Sequence, residues 1–141
     1  MIYSVKQSNG CYSEKLKTGG ELNVCVDSWH LYYYFPGPDY RYNGTSVYID
    51  GQQIDSYIAA WKNNFSKYLK IKELIPQGGV AEYPGEQGMS IRFGYPEGVC
   101  ITSYHLPINT QEQLNAIIED YENSKSKVEV IQSMLREIEK L

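Results

Sequence analysis

A seven-residue repeat near the end of the chain constrains the fold more than any other feature. Two series of residues follow it, and only one of their eight members is polar: Leu114, Tyr121, Val128 and Leu135, and three places later Ile117, Ser124, Ile131 and Ile138. Such spacing is typical of a long amphipathic helix with a coiled-coil seam. Thr110 and Gln113 have the spacing of a capping box, so the helix is expected to begin just after Thr110.

The length of this helix raises the question of what it packs against. About thirty helical residues extend about 45 Å, whereas a domain of 141 residues is about 35–40 Å across. Either the helix breaks near Asn123–Ser124, or it extends beyond the domain and packs on another copy. We favour the second interpretation, a homo-oligomer (a dimer or a larger assembly), over a helix that lies entirely on its own sheet.

The first half of the chain predicts strands and one further helix. Alternating apolar residues predict strands at Leu22–Val26 and Trp29–Phe35, and Asn43-Gly44 is a hairpin signal before a third strand at Ser46–Ile49. From about Ile54 to Leu74, apolar residues recur at intervals of three and four, which predicts a helix with one apolar face.

The region between the two helices predicts a hairpin. Its arms are Met89–Phe93 and Val99–Tyr104, joined by Gly94–Gly98, and a short strand near Val80–Tyr83 precedes it. We therefore predict an α+β fold in which an antiparallel meander sheet packs with one mid-chain helix and a long C-terminal helix. A chain of 141 residues has the size of one domain, so residues 1–141 are expected to form a single α+β ligand-binding domain.

Charge and cysteine content argue against several classes of protein. The formal charge is −4, whereas DNA, RNA and membrane surfaces attract basic proteins, so none of them is an expected partner. Cys11, Cys25 and Cys100 have no CxxC spacing, which predicts neither a disulfide framework nor a zinc site. The sequence shows no signal peptide and no apolar run long enough for a membrane span. We therefore expect a cytoplasmic protein with reduced cysteines.

Catalytic, metal and cofactor sites are not expected from the residue pattern. The chain has two histidines, His30 and His105. Cys100 and His105 are an odd number of positions apart on a predicted strand, so their side chains would point to opposite faces. Asp50 and Asp55 lack the ligand alternation of a calcium loop, and they fit a turn and a helix N-cap instead. The sequence therefore favours a protein that binds over one that catalyses.

Side chains suited to ligand recognition are densest between Arg92 and Asn109. Tyr95, at the tip of the predicted hairpin, offers a ring on which a planar base could stack. Arg92 supplies a planar, charged fork that suits phosphate. Tyr104 and His105 lie on the second arm, and Asn109 precedes the helix cap with an amide that both donates and accepts. A plain hairpin with a capped helix remains the alternative interpretation.

Three segments of the chain resemble a known family. They are Ile54-Asp-Ser-Tyr-Ile58 at a helix start, Ile75-Pro-Gln-Gly-Gly79 at its end, and Gly98-Val-Cys-Ile-Thr-Ser-Tyr-His-Leu-Pro-Ile-Asn-Thr110 before the last helix. They resemble the phage Thoeris anti-defence sponge proteins, and the resemblance covers roughly residues 46–141. It implies an oligomeric protein, active in the cytoplasm of an infected bacterium, that is not an enzyme.

The resemblance also implies a ligand and a set of contacts. Members of that family enclose the cyclic ADP-ribose-type signal of bacterial TIR-domain proteins, and some hold cyclic oligonucleotides at a second site. Their pocket uses an aromatic ring against adenine, an asparagine, and arginines near the phosphates. The matching positions here are Tyr95 or Phe93 for the ring, Asn109 for the amide, and Arg41 with Lys125 or Lys127 for the cations. A lysine in place of an arginine loses the bidentate fork, which puts the phosphate contacts in doubt.

A protein-binding inhibitor or immunity protein is the alternative function. Aromatic residues dominate the hot spots of protein interfaces, and this chain has 14 tyrosines. Its negative charge would then face a basic nuclease or toxin. A purely structural oligomer would account for the seven-residue repeat but not for the side chains between Arg92 and Asn109.

Overall fold

The computed structural model describes residues 10–141 and divides the chain into two compact units. Unit 1 contains the chain up to Ile54 together with Glu119–Leu141, and unit 2 contains Asp55–Ile118. Helices and antiparallel sheets make up the chain, so the predicted α+β class is confirmed. The strands form two separate meander sheets, where the sequence predicts one. The assignment of residues 1–141 to a single domain stays a prediction.

The sheet of unit 1 has four antiparallel strands in the order β1-β2-β3-β4. They are β1 (Tyr12–Lys15), β2 (Glu21–Val24), β3 (Trp29–Phe35) and β4 (Thr45–Asp50). β3 has the predicted bounds, whereas β2 begins one residue before its predicted segment and β4 is one residue longer at each end. β1 has no counterpart in the prediction, because a Tyr-Ser-Glu-Lys segment lacks apolar alternation. A loop over residues 36–44 joins β3 to β4, so the tight turn predicted from Asn43-Gly44 is wrong.

Alternation along these strands gives the sheet one buried face and one open face. Leu22, Leu31 and Ile49 form a cross-strand row on the buried face and are fully buried. The opposite face carries polar and aromatic side chains that are partly or fully exposed, from β3 His30, Tyr32 and Tyr34, and from β4 Ser46, Tyr48 and Asp50.

The long helix α2 (Gln111–Glu139) begins where its sequence predicts. The Gln113 N–H donates to the Thr110 hydroxyl, and the Thr110 N–H donates to the Gln113 amide oxygen, both at 3.1 Å. The helix does not break near Asn123–Ser124. Its first residues belong to unit 2, and its residues from position 119 onward belong to unit 1.

The seam of α2 is buried within the chain itself. Of its eight members, seven are at most 8% exposed and only Ile138, at 51%, is open. The expectation that this seam packs on another copy is therefore wrong. A stripe of apolar residues at intervals of three and four fits a helix on a sheet as well as a helix on a helix. The homo-oligomer stays a prediction, without this support.

Hydrogen bonds join α2 to the sheet within unit 1. The Tyr33 hydroxyl donates to the Tyr121 hydroxyl at 3.2 Å, and Lys127 Nζ lies 2.7 Å from Glu14 Oε2. Burial alone would raise the pKa of Glu14, but hydrogen bonds from Lys127 and Tyr12 lower it overall. These contacts fix the helix on the buried face of the sheet.

A disulfide links Cys11, just before β1, to Cys25, just after β2. The expectation of reduced cysteines is thus corrected for this pair, while Cys100 is a buried free thiol. The sequence did not indicate the pair because the antiparallel pairing of β1 with β2, which brings the two cysteines together, is invisible in cysteine spacing. Disulfides are typical of oxidising compartments. The cytoplasmic location, which the sequence predicts together with reduced cysteines, stays a prediction.

Unit 2 combines α1 (Ile54–Leu74) with a second sheet. The helix has the predicted bounds, and its apolar face, which includes Trp61, Phe65 and Tyr68, is buried. Asp50 caps a single 3₁₀ turn before it, so the N-cap role predicted for Asp55 is wrong; that residue lies in the first turn of α1.

The second sheet has three antiparallel strands in the order β5-β6-β7. They are β5 (Ala81–Pro84), β6 (Ser90–Phe93) and β7 (Gly98–Cys100). The second arm of the predicted hairpin is too long, since β7 ends at Cys100 and not at Tyr104. Val99 pairs with Ile108 through two N–H···O bonds of 2.9 Å, and the intervening chain bends back on itself.

Candidate ligand-binding site

A cavity of about 280 Å³ opens in unit 2 at the end of α1. Three pieces of chain line it: the last turns of α1, the segment that follows, and the chain from β6 into the β6–β7 loop. The residues are Lys72, Ile75, Pro76, Gln77, Gly78, Gly79, Phe93 and Glu97. The volume lies just below the usual range for small-molecule sites, which is roughly 300–1,000 Å³.

The segment after α1 turns sharply because of its glycines. The Ile75 N–H still donates to the Ile71 carbonyl at 2.9 Å, which closes the last helical turn. Pro76 cannot continue the helix, and Gly78 has a φ of +84°, a conformation that other residues rarely adopt. The Gly79 N–H donates to the Pro76 carbonyl at 3.0 Å and completes the turn. At Gly78 and Gly79 the wall of the cavity is thus formed by main chain.

Glu97 carries the negative charge of the cavity. Its Oε2 accepts a hydrogen bond from the Tyr68 hydroxyl at 2.6 Å and lies 3.5 Å from Lys72 Nζ. The Tyr68 hydrogen bond, aided by Lys72, lowers the pKa of Glu97. Burial, with Glu97 beside it, raises the pKa of Tyr68. The Glu97 carboxylate thus lies beside Lys72 in the cavity wall, and the buried Tyr68 hydroxyl holds it from the core.

Asn109 fixes the same loop from its main-chain side. Its Nδ2 donates to the Glu97 carbonyl at 2.8 Å, and its N–H donates to the Gln113 amide oxygen at 2.7 Å. Asn109 thus connects the start of α2 to the cavity wall. The amide predicted to hydrogen-bond the ligand is a half-buried support of the loop, and one of its donors is already in use.

Arg92, predicted to contact phosphate, is held by protein groups. Its Nη1 lies 2.8 Å from Glu82 Oε1 and donates to the Ser103 carbonyl at 3.2 Å. Its Nε donates to the Pro96 carbonyl at 3.4 Å. The guanidinium therefore ties the β6–β7 loop to the chain after β7, and its charge is balanced by Glu82.

The two aromatic candidates for base stacking are placed very differently. Phe93 lines the cavity, but it is 3% exposed and stacks on Tyr68 with ring centroids 5.2 Å apart, so it belongs to the core. Tyr95 is 97% exposed, in the loop between the two lining residues Phe93 and Glu97. Only Tyr95 presents a ring face that a planar ligand could cover.

Tyr104 and His105 lie on the bend after β7. Their rings are 4.3 Å apart, and the His105 Nδ1 lies 2.7 Å from the Thr102 hydroxyl. Because β7 ends at Cys100, strand alternation does not apply to this stretch. Burial raises the pKa of the Cys100 thiol to about 11, so the thiol is protonated at neutral pH and a poor nucleophile.

The remaining three predicted residues lie in unit 1. Arg41 forms an ion pair with Asp39, with 3.0 Å between Nη2 and Oδ2, in the exposed β3–β4 loop. On α2, Lys125 Nζ lies 3.7 Å from Glu122 Oε1, and Lys127 pairs with Glu14. The structure thus groups six of the nine predicted residues in unit 2, and places the three cations taken from the family resemblance in unit 1.

Lys72, Tyr68 and Glu97 were not among the predicted site residues. One signal in the sequence points to this region, since the segment Ile75–Gly79 is one of the three that carry the family resemblance. The pairing of Lys72 with Glu97 could not be found, because it depends on how a distant loop folds back onto the helix.

Comparisons of the chain with protein-family models, with curated proteins and with solved structures each find no match. Among residues 10–141, no group of three or more His, Cys, Asp or Glu side chains could hold a metal ion. No helix within this described part of the chain could cross a membrane.

Proposed function

We propose that unit 2 binds a small ligand of the nucleotide type at the cavity, and that the protein acts by keeping this ligand bound without converting it. The observation that carries the proposal is the cavity itself, in which a lysine and main-chain groups lie beside a loop with an exposed tyrosine ring. A cation for the phosphate and an aromatic ring for the base are two of the contacts by which proteins bind nucleotides.

Lys72 is the group that would meet a phosphate. Its side chain is 56% exposed and ends in the cavity 3.5 Å from Glu97. A ligand phosphate would therefore draw Lys72 away from a partner to which it is only loosely bound. The charge of α1 as a whole favours an anion too, since the helix carries four lysines, Lys72 included, against two acidic residues.

Tyr95 is the group that would cover a base. Stacking on an exposed aromatic ring contributes about 1–3 kcal/mol per base. The main chain at Gly78–Gly79 has no side chains that would keep a ligand away from the wall. These features support binding of a molecule with one flat part and one anionic part.

The resemblance to the Thoeris anti-defence sponges suggests the first ligands to test, which are the cyclic ADP-ribose isomers made by TIR-domain proteins. A sponge removes such a signal by binding it tightly, which prevents activation of the host defence. The structure of unit 2 is compatible with this role, while the cations that the resemblance points to lie in unit 1.

The test is a titration of the purified protein with each isomer, followed by heating. Binding should raise the stability by about 2.7 kcal/mol when the free ligand is at 100 times its Kd. Heat denaturation should then return the ligand intact, as judged by chromatography. Release of linear ADP-ribose would show a catalytic activity instead, and the absence of any stabilisation by these ligands would remove the proposal.

A second candidate function, a protein-binding inhibitor, is favoured by the tyrosines of unit 1. Tyr34, Tyr40, Tyr42 and Tyr48 are each more than half exposed on the open sheet face and the β3–β4 loop. Such rings give large contact areas at low entropic cost in protein interfaces. The two functions can be told apart by heating the purified protein. A sponge should release bound nucleotide, which absorbs at about 260 nm, whereas a protein-binding inhibitor should release none.

A further inference from the structure

The edges of the two sheets differ in how they are protected. An unpaired edge strand offers main-chain N–H and C=O groups to any other strand, and proteins usually block it with charges, proline or covering chain. β7 is covered by its pairing with Ile108. β5 carries Glu82 and ends in Pro84. β1 is only four residues long and carries Glu14 and Lys15.

β4 has none of these protections. Its six residues, Thr-Ser-Val-Tyr-Ile-Asp, pair with β3 in one unbroken register, without a bulge. The strand has no proline and no basic residue, and its one charged residue is Asp50 at the end. Among the four sheet edges in the described residues, this one is the longest.

The hydrogen bond of Asp50 shows which groups of β4 point outward. Its N–H donates to the Gln53 amide oxygen at 3.1 Å, and hence not to β3. In an antiparallel pair, alternate residues direct both main-chain groups to the same side. The N–H and C=O groups of Ser46 and Tyr48 therefore point away from β3 as well. Within residues 10–141 no main-chain partner is recorded for them.

We propose that β4 pairs with β4 of a second copy of this chain, antiparallel and across a two-fold axis at Val47. This register sets Ser46 opposite Tyr48 of the second copy. Four main-chain hydrogen bonds then use all the free groups of Ser46 and Tyr48 in both copies, and Asp50 lies outside the paired stretch. The four-stranded sheets of the two copies become one sheet of eight strands, so neither copy keeps β4 as a free edge.

A second copy suits this edge better than a foreign strand does, because the free stretch is complementary to itself. A two-fold interface presents the same patch on both sides, and here that patch has no charge that would repel its copy. The open face gains contacts too. On that face Tyr32 and Tyr48 (63% exposed) form a cross-strand row of side chains. In the dimer this row would be extended by Ser46 and Tyr34 of the second copy.

The first test measures the molar mass of the full chain by sedimentation velocity at protein concentrations from about 1 to 100 μM, a range in which weak to moderate interfaces dissociate. The expected mass shifts from that of one chain to that of two chains as concentration rises. Ser46→Pro removes one outward N–H and leaves the bonds to β3 in place. It should weaken dimerisation by about tenfold or more, whereas Ser46→Ala, which keeps the N–H, should dimerise normally.

Because proline could also disrupt the fold, a second variant tests the same edge without it. Tyr48→Lys keeps the main chain but places a charge on the edge, which natural sheets use to prevent pairing. Both variants should keep a cooperative urea transition. A wild-type chain that stays monomeric over the whole range would overturn the proposal, and so would a dimer that persists in both folded variants.

The register is tested by cross-linking. In the proposed dimer, Val47 faces Val47 of the second copy as a non-hydrogen-bonded pair with Cα atoms about 4.5 Å apart, close enough for a disulfide. Val47→Cys should therefore give a covalent dimer on mild oxidation. Thr45→Cys is the control, because position 45 faces position 49 and should not cross-link to itself. Efficient cross-linking at position 45 but not at 47 would show that the register is wrong.

Discussion

The hydroxyl groups of Tyr33 in β3 and Tyr121 in α2 form a hydrogen bond of 3.2 Å in the core of unit 1. Their residues are 88 positions apart, and both rings are buried. The bond joins the middle of the sheet to the helix that covers it. Two polar groups are thus buried at the point where the sheet and α2 must fit together.

Tyr33→Phe should lower the free energy of unfolding by about 1 kcal/mol, because a buried hydrogen bond is lost while the ring is kept. Urea denaturation should show a lower midpoint with an unchanged slope. Tyr48→Phe is the matched control, since it removes an exposed hydroxyl from the next strand and should change the stability by less than about 0.5 kcal/mol. Equal effects of both variants would contradict a specific role for the buried bond.

The stability of the fold should decrease at alkaline pH because Tyr33 is buried. Burial raises the pKa of Tyr33 from 10.0 to about 12 in the folded chain. A raised pKa favours the protonated form, so this stabilisation is complete below pH 10 and is lost as the pH rises towards 12. Urea midpoints measured across this range should decline, and the decline should be shallower in Tyr33→Phe. An identical slope in both proteins would assign the effect to other groups.

Stability should fall at acid pH in part because of Glu97. Its pKa is lowered from 4.5 by the Tyr68 hydrogen bond and by Lys72. A lowered pKa stabilises the fold above the unfolded value, so this contribution disappears as the pH falls below about 4.5. Glu97→Gln should show a weaker loss of thermal stability between neutral and acid pH than the wild type does. Glu73→Gln, at the exposed end of α1, is the control and should keep the wild-type slope.

The disulfide should stabilise unit 1 by about 3 kcal/mol. Cys11 and Cys25 are 14 positions apart, and closing a loop of that size reduces the entropy of the unfolded chain by about this amount. Changing both cysteines to serine should lower the urea midpoint, and reductant should have no further effect on that variant. Alkylation of all three cysteines in denaturant without reductant would contradict the disulfide.

Ligand binding should depend on Tyr95 and not on other exposed tyrosines. Tyr95→Ala should weaken binding of a cyclic ADP-ribose isomer by about 1–3 kcal/mol through lost stacking, which is roughly 5- to 150-fold in Kd. Tyr40 is the matched control, since both residues are 97% exposed and lie in different units. Neither alanine variant should change the stability. Full affinity in Tyr95→Ala would place the ligand elsewhere.

Local signals in the sequence predict local structure well in this chain. The capping box of Thr110 and Gln113 gives the start of α2 because both partners lie within one helical turn. The bounds of α1 follow from its apolar spacing and from Pro76 behind it. The end of β7 does not follow in this way, because it is set by pairing of Val99 with Ile108, which a strand pattern cannot reveal.

Features that depend on distant parts of the chain are not predictable from the same signals. The seam of α2 shows that the helix is covered on one side, but apolar spacing does not say whether a sheet or another helix covers it. Arg92 has the chemistry of a phosphate contact, yet its environment includes Glu82, and the fold uses it to hold a loop. Six of the nine predicted residues lie in unit 2, and the site itself stays a prediction.

Glu97 is held twice, and the two attachments are independent. Its carbonyl is fixed by Asn109, whereas its carboxylate meets Tyr68 and Lys72. A substitution at position 97 can thus change the charge inside the cavity while the main chain of the wall keeps its anchor. Variants of this protein could acquire a preference for neutral or for more anionic ligands through single changes at this position, without evolving a new loop.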